Sequence, residues 1–447
     1  MKGTVYIVHC IDTEGPMYEA PEVPFEQIKK IFGLDIEQTE ENLIKLRNGE
    51  ADLNGNEEAV RNLLDINKSA TGKDWFTLEK TLQKVTDDKF RNILKDSCNH
   101  GWVYSWFCLD HVGFTGNNPR RRDLGHHKIF DRYMKMVMEQ NKGDIVQFHH
   151  HPVSFSGNAN ECGTAYWGRS TLNDILTRKI IDRHWFPAAF RPGFHLERAD
   201  SHWFLEQWIP FDYGNQAVSR QETNQPDMAD GRFGDWRLAP DEWKPYHPSY
   251  RNYQLKGKCR RWITRCLNMY ARLNEITQED VNDAFELALR EGKAILAFTD
   301  HDFKNMEFDV DRVRGFIKSA SEKYSGVSFE FTDAITAMRK YLDLVPQKIG
   351  LECDICRVSN GMRLNIRTEK DIFGTQPYLA IKTKDNEYLW DNLDNGLHNQ
   401  WDYIFDYNSI SYDLIEKIGV AASAPSGLCE IMNYEKGNWR KVICNEG

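Results

Sequence analysis

Short apolar runs recur along the first three quarters of the chain, separated by helix-periodic stretches, and the clearest of them end in residues that carry chemistry. Residues 5–11 are continuously apolar apart from His9 and Cys10, and they run into Asp12, Thr13 and Glu14 before a Gly15-Pro16 turn. A run without alternation suits a strand buried on both faces of a parallel sheet. Residues 102–109 repeat the pattern and close on Asp110-His111, and residues 144–148 discharge into His149-His150-His151-Pro152. Residues 294–298 lead to Thr299-Asp300-His301-Asp302, and 327–331 form a further run.

Helical signals fill the gaps. Ile129, Tyr133, Met136 and Val137 recur at helical spacing up to Asn141-Lys142-Gly143. Val281, Ala284, Phe285, Ala288 and Leu289 make one stripe between an approximate Thr277/Asp280 capping box and Gly292. Val310, Val313, Phe316, Ile317 and Ala320 mark another helix, and residues 334–341 a short one. Strands alternating with helices predict a parallel sheet or barrel.

Two stretches depart from the alternation. Residues 20–100 are polar, charged and helix-periodic (Ile28, Ile31, Phe32; Val60, Leu63, Leu64), which reads as a helical insertion. Beyond Val345-Pro346, short alternating runs at 362–367 and 378–382 lie between polar turns. The expected organisation is an α/β unit over 1–345, interrupted by the insertion at 20–100, and a small β-rich domain over 346–447. A length of 447 residues has room for it, at about 100–200 residues per domain.

Composition excludes several classes. With 40% hydrophobic and 28% charged residues the chain is neither disordered nor collagen-like. A net charge of −10 argues against nucleic acid or an anionic membrane as the main partner. No stretch approaches the ~18 apolar residues of a membrane span. The first run is too short for a secretory signal and meets acids at once, so a cytoplasmic protein is expected. Ten scattered cysteines are not a disulfide framework. Cys353 and Cys356 have zinc or redox spacing, but a structural zinc site needs a second pair, and Cys429 and Cys444 are too far apart to match a short loop. They read as either a metal pair or two reduced thiols in a strand connection.

Ligand sites in parallel α/β folds lie outside the carboxyl ends of the strands, so the groups that follow each run should converge. Asp12 and Glu14 are two apart, which in an extended chain aims both carboxylates to one side; the same holds for His149 and His151, with His150 facing away. Carboxylate and imidazole suit a borderline ion such as zinc, and three protein ligands with one open position is the usual catalytic arrangement. Such an ion polarises a carbonyl and lowers the pKa of water, which points to hydrolysis of an amide or ester. Each feature also has a plain structural reading: a turn acid, hydrogen-bonded histidines, and for His301 a surface turn between two acids. Arg191, after the weakly strand-like 185–189, can keep a nearby carboxylate ionised or simply precede a turn. A helix pattern through Trp203, Phe204 and Trp208 leads to Asp212, on spacing alone a turn acid ahead of Gly214. The aromatic stretch 235–249 is either a sugar-stacking loop or a packing loop, and Trp390, Trp401, Tyr403 and Tyr407 either a carbohydrate face or strand core.

Taken in order, these pieces resemble a divergent branch of the polysaccharide deacetylase family (NodB-homology, carbohydrate esterase family four). The resemblance covers the first strand with Asp12 and Glu14, and resumes from about Gly101 to Tyr341. It implies Asp12 as catalytic base, Glu14, His149 and His151 as metal ligands, and Arg191 as the arginine that positions the base. It further implies His301 as general acid and Asp212 as the acid that tunes it. The histidines are two apart rather than four, and Glu14 stands where an Asp is usual, separated from Asp12 by Thr13; which of His149, His150 and His151 bind metal therefore stays open. The implied fold is a distorted parallel (β/α) barrel. The implied cofactor is a divalent metal, zinc foremost. The implied activity is removal of an N-acetyl group from an acetylated saccharide in polysaccharide or cell-surface glycan metabolism. Two other readings stand beside it: a catalytically idle barrel that binds glycan or protein, and a metal-dependent hydrolase of a non-sugar amide.

Overall fold

The computed structural model describes residues 3–157, 166, 170–219, 234–271 and 274–446. Its first strands, in chain order, are β1 (Gly3–Thr13), β2 (Tyr104–Leu109), β3 (Ile145–His150), β4 (Ala189–Pro192), β5 (Phe211–Asn215), β6 (Pro248–Ser249), β7 (Asn252–Lys256), β8 (Trp262–Asn268), β9 (Lys293–His301) and β10 (Val327–Phe331). β1 is paired on both edges: β9 runs along it from Thr4 to Asp12, and β2 takes the other edge from His9 to Thr13. That double pairing closes β1-β2-β3-β4-β5-β8-β9 into a parallel ring, while β10 lies beside Gly3 to Ile7. All the carboxyl ends therefore open at one mouth.

The helices are α1 (Val23–Phe32), α2 (Glu40–Asn48), α3 (Glu57–Leu63), α4 (Trp75–Val85), α5 (Asp88–Arg91), α6 (Lys128–Gln140), α7 (Thr171–Arg183), α8 (Ala199–Trp208), α9 (Gln278–Glu291), α10 (Met306–Lys323) and α11 (Ala334–Leu342). α1–α5 occupy the expected insertion. α9 shows the local rules at work. Thr277 and Asp280 form the reciprocal capping box, and Gly292 ends the helix at φ 93°, a left-handed conformation that favours glycine. Val281, Ala284, Phe285 and Ala288 are buried against β1 and β9, each large side chain contributing about 1.5–3 kcal/mol of burial. Leu289, counted in that stripe, is 55% exposed, because it is turned one residue beyond the buried face.

Two strands differ from the expected pattern. β4 begins at Ala189, so residues 185–188 are a buried approach to it rather than the strand itself. β8 was not marked by an apolar run, since Thr264 and Arg265 interrupt it; Arg265 is buried nonetheless, with Nη2 on Asp280 at 2.9 Å and Nε on the Ala217 carbonyl at 2.7 Å. In the aromatic stretch 235–249, Trp236, Trp243 and Tyr246 are buried, which makes them packing residues.

The C-terminal strands are β11 (Glu352–Val358), β12 (Gly361–Arg367), β13 (Tyr378–Thr383), β14 (Tyr388–Asp391), β15 (Asp394–Asn395), β16 (Gln400–Phe405), β17 (Ile415–Ser423), β18 (Cys429–Glu435) and β19 (Asn438–Cys444). They form two antiparallel sheets, β11-β12-β16-β15 and β14-β13-β17-β18-β19. Alternation decides which side each residue serves: Leu379, Ile381, Ile418 and Val420 pack against Leu364, Ile366 and Tyr403 of the other sheet, while Tyr378, Ala380 and Ala421 join the barrel core beside α7. Trp401 and Tyr403 are core; Trp390 and Tyr407 are exposed. Cys353 and Cys356 are free thiols on β11, and three residues apart on one strand they face opposite sides. Among the described residues no helix is long and apolar enough to cross a membrane.

Candidate metal-binding active site

Convergence at the barrel mouth is close. β1 delivers Asp12 and Glu14, β3 delivers His149 and His151, β4 delivers Arg191, and β9 delivers His301. The ladders set the heights: Asp12 is in register with His301, and His149 with Arg191.

Glu14, His149 and His151 are buried and offer one ligand atom each toward a common point. His151 Nε2 lies 3.1 Å from His149 Nε2 and 3.1 Å from Glu14 Oε1, and His149 Nε2 is 3.9 Å from the same oxygen. A tetrahedral ion with bonds of about 2.0–2.1 Å needs ligand atoms about 3.3–3.4 Å apart, so this triangle fits one. Tautomers agree with the fit. His149 Nδ1 is 2.8 Å from the Arg191 carbonyl, to which only a protonated nitrogen can donate, and that leaves the Nε2 lone pair aimed at the triangle. Burial pushes His151 down to about 4, so its ring is neutral at physiological pH. His150 points the other way, against Phe148 and Tyr166. Alternation along β3 thus selects the outer two histidines.

The supporting residues explain how so much charge stays buried. Arg122 pairs with Glu14 Oε2. Burial alone would raise the Glu14 carboxyl; Arg122, with His151, outweighs it and holds it well below the usual range. Arg191 forks onto Asp12, with Nε on Oδ1 at 2.6 Å and Nη2 on Oδ2 at 2.9 Å. Here too burial opposes ionisation, and Arg191 with His149 and His301 holds Asp12 far below the ordinary carboxylate value. Arg191 itself is fixed by the Tyr213 carbonyl at 2.5 Å and by His195 Nδ1 at 3.3 Å. Burial lowers His301, against the pull of Asp12 and Glu14.

Backbone shape is spent on this arrangement. Phe194 and His195 both have left-handed φ, 53° and 51°, a costly conformation for residues other than glycine. It turns Phe194 onto the His151 ring, with centroids 4.8 Å apart, and His195 onto Arg191. Gly193 is required beneath them: a Cβ there would run into the His151 ring.

Asp212 lies elsewhere. Its carboxylate accepts from Gly214 N–H at 2.8 Å and from Arg261 Nε at 3.2 Å, in a buried cluster with Glu197. The carboxylates that act on His301 are Asp12, Glu14 and Asp300. Sequence reasoning passed over three residues. Arg122 sat unmarked in the run Arg120-Arg121-Arg122, His195 ended a segment noted only for its arginine, and Asp302 was one of two acids flanking His301. Its carboxylate accepts from the backbone N–H groups of Glu14 and Gly15 and from the Tyr133 hydroxyl, and burial pushes it up to about 7.

No family model and no curated protein matches the chain. Among the solved structures that are similar is one from Parabacteroides distasonis, described as a candidate glycoside hydrolase/deacetylase. It is 11% identical, with 99% of this chain and 85% of that one covered and a TM-score of 0.37. The barrel and its site therefore stand on their own geometry. A cavity of about 360 Å³ opens onto Asp12, Glu14, His151 and His301, of a size that suits a small ligand.

Proposed function

We propose that the chain is a divalent-metal-dependent hydrolase that removes an N-acetyl group from a sugar, with residues 1–345 carrying the activity and zinc as the ion. The reading rests above all on one juxtaposition: the ligand triangle of Glu14, His149 and His151 lies beside a carboxylate, Asp12, that is in register with His301. When bound, the ion would polarise the acyl carbonyl and lower the pKa of water. Asp12, kept ionised by Arg191, accepts a proton from water. His301, protonated in turn by the proton that Asp12 has accepted, gives one to the leaving nitrogen, so that the net transfer is one proton from water to the amine. Arg122 keeps Glu14 ionised, and Asp212 acts at a distance, fixing the end of β5 whose Tyr213 carbonyl holds Arg191. A cytoplasmic place in glycan metabolism belongs to the same proposal, on the family resemblance.

The test is acetate release from acetylated mono- and oligosaccharides, and from small non-sugar amides, by protein loaded with one zinc per chain. Zinc-dependent release from the sugars is the expected result. Full zinc occupancy with release only from non-sugar amides would replace the substrate class, and no release at all would leave a binding module.

A further inference from the structure

The insertion does more than interrupt the barrel sequence. Gln27 and Ile31 of α1, Leu63 of α3, and Lys68 and Ala70 beyond it line the cavity opposite Asp12, Glu14 and His301. Residues 65–72 form a strap across the mouth. Thr71 and Gly72 each donate a backbone hydrogen bond to the Phe303 carbonyl at 2.8 Å, and Met17 N–H donates to the Gly72 carbonyl at 3.0 Å. The Tyr270 hydroxyl donates to Asp65 at 2.6 Å, Asn305 Nδ2 donates to Asn67 Oδ1 at 2.9 Å, and Lys68 sits over the Tyr270 ring. The strap is thus tied to the loops after β1, β8 and β9. Behind it the helices have a core of their own, with Phe25, Ile28, Leu46, Val60 and Leu64 buried together, which makes the cover a packed body rather than a loose loop. Beneath it Glu14, His149 and His151 are only 3, 1 and 8% exposed.

An internal unit of a polymer must leave a site in two directions, which an open groove permits. A mouth bridged from three of its loops does not. We infer that the α1–α3 part of the insertion, with the strap at 65–72, is a fixed roof that makes the centre a closed-ended chamber, and that its substrate is a small or chain-terminal acylated saccharide entering end-on. The substrate half of this inference rests on the deacetylase reading; the roof does not.

Two measurements separate them. The first compares kcat/KM per acetyl group for N-acetylated mono- and disaccharides with that for internal units of an acetylated polymer; small substrates should be favoured by about tenfold or more, within the range that pocket fit supplies. The second follows zinc removal by free dipicolinate and by the same chelator tethered to dextran. The free chelator should strip the ion and the tethered one should fail over the same period. Equal kcat/KM on internal polymer units, or equal stripping by both chelators, overturns the inference. A protein that hydrolyses none of the sugars yet shields its zinc from the tethered chelator loses the deacetylase reading and keeps the roof. One that takes up no zinc loses the deacetylase reading and overturns the substrate half of the inference with it.

Discussion

Asp302 accepts the backbone N–H of Glu14 at 3.1 Å, so the strand end that presents His301 also fixes the turn that presents the carboxylate of the candidate metal triangle. The same side chain takes Gly15 N–H at 2.8 Å and the Tyr133 hydroxyl at 2.7 Å. Residues nearly three hundred positions apart in the chain (|i−j| = 288) are locked into one unit.

Asp302→Asn should loosen that lock, because an amide cannot accept at both of its heavy atoms. Zinc affinity is expected to fall about 10–100-fold, the usual effect of removing a group that orients a ligand. Equilibrium dialysis with zinc measures it, and undiminished affinity would sever Asp302 from the centre.

Gly193→Ala tests the close approach to His151. The added methyl meets the imidazole ring, so the ring must move out of the triangle or the strand end must shift. Overpacking of this kind costs about 1–3 kcal/mol. Expected together are a lower melting temperature and zinc affinity reduced toward that of His151→Ala.

Base and ligands separate by their effects. Asp12→Asn keeps the triangle and should retain zinc while turnover falls about 10²–10⁴-fold, the range of general-base catalysis. Glu14→Ala and His149→Ala remove ligand atoms, and the rise in melting temperature that zinc gives the parent protein should vanish. An active Asp12→Asn would end the base assignment.

Glu430 offers a pH test away from the site. Its oxygens accept from Ile349, Gly350 and Leu351 N–H and from Lys441, tying the connection after α11 to β18. Burial raises this carboxyl, but Lys441 and the backbone donors outweigh burial and bring it below the ordinary value. A folded value under the unfolded one gives stability that is present above the ordinary carboxylate pKa of about 4.3 and is lost as pH falls through the folded value. Glu430→Gln should cost about 1–3 kcal/mol at neutral pH, from buried donors left poorly paired. Melting curves in acid should show the parent losing its advantage over the variant below about pH 4.3.

Much of this was legible in the residue order. A continuous apolar run needs cover on both faces, so residues 5–11 had to be an interior strand, and β1 is one. Alternation along an extended chain is a local property; it put Asp12 with Glu14 and His149 with His151 before any partner was known, and the triangle uses Glu14, His149 and His151, with Asp12 beside it. Capping at Thr277 and Gly292 was local as well, and it holds. Where polarity ran against the pattern the reading failed: β8 is a strand because Arg265 finds Asp280, a pairing that spacing does not encode.

What the tertiary structure alone decided is which side chains meet. Glu14 draws Arg122 out of a run of three arginines, Asp212 turns to Arg261 rather than toward His301, and Cys429 and Cys444, remote in the chain, stand opposite each other on β18 and β19. The roof is of the same kind, since residues 65–72 contact loops more than two hundred positions away. Local sequence fixes the direction of a side chain through backbone periodicity. Partners are fixed by strand register and loop closure, which depend on the whole ring being shut.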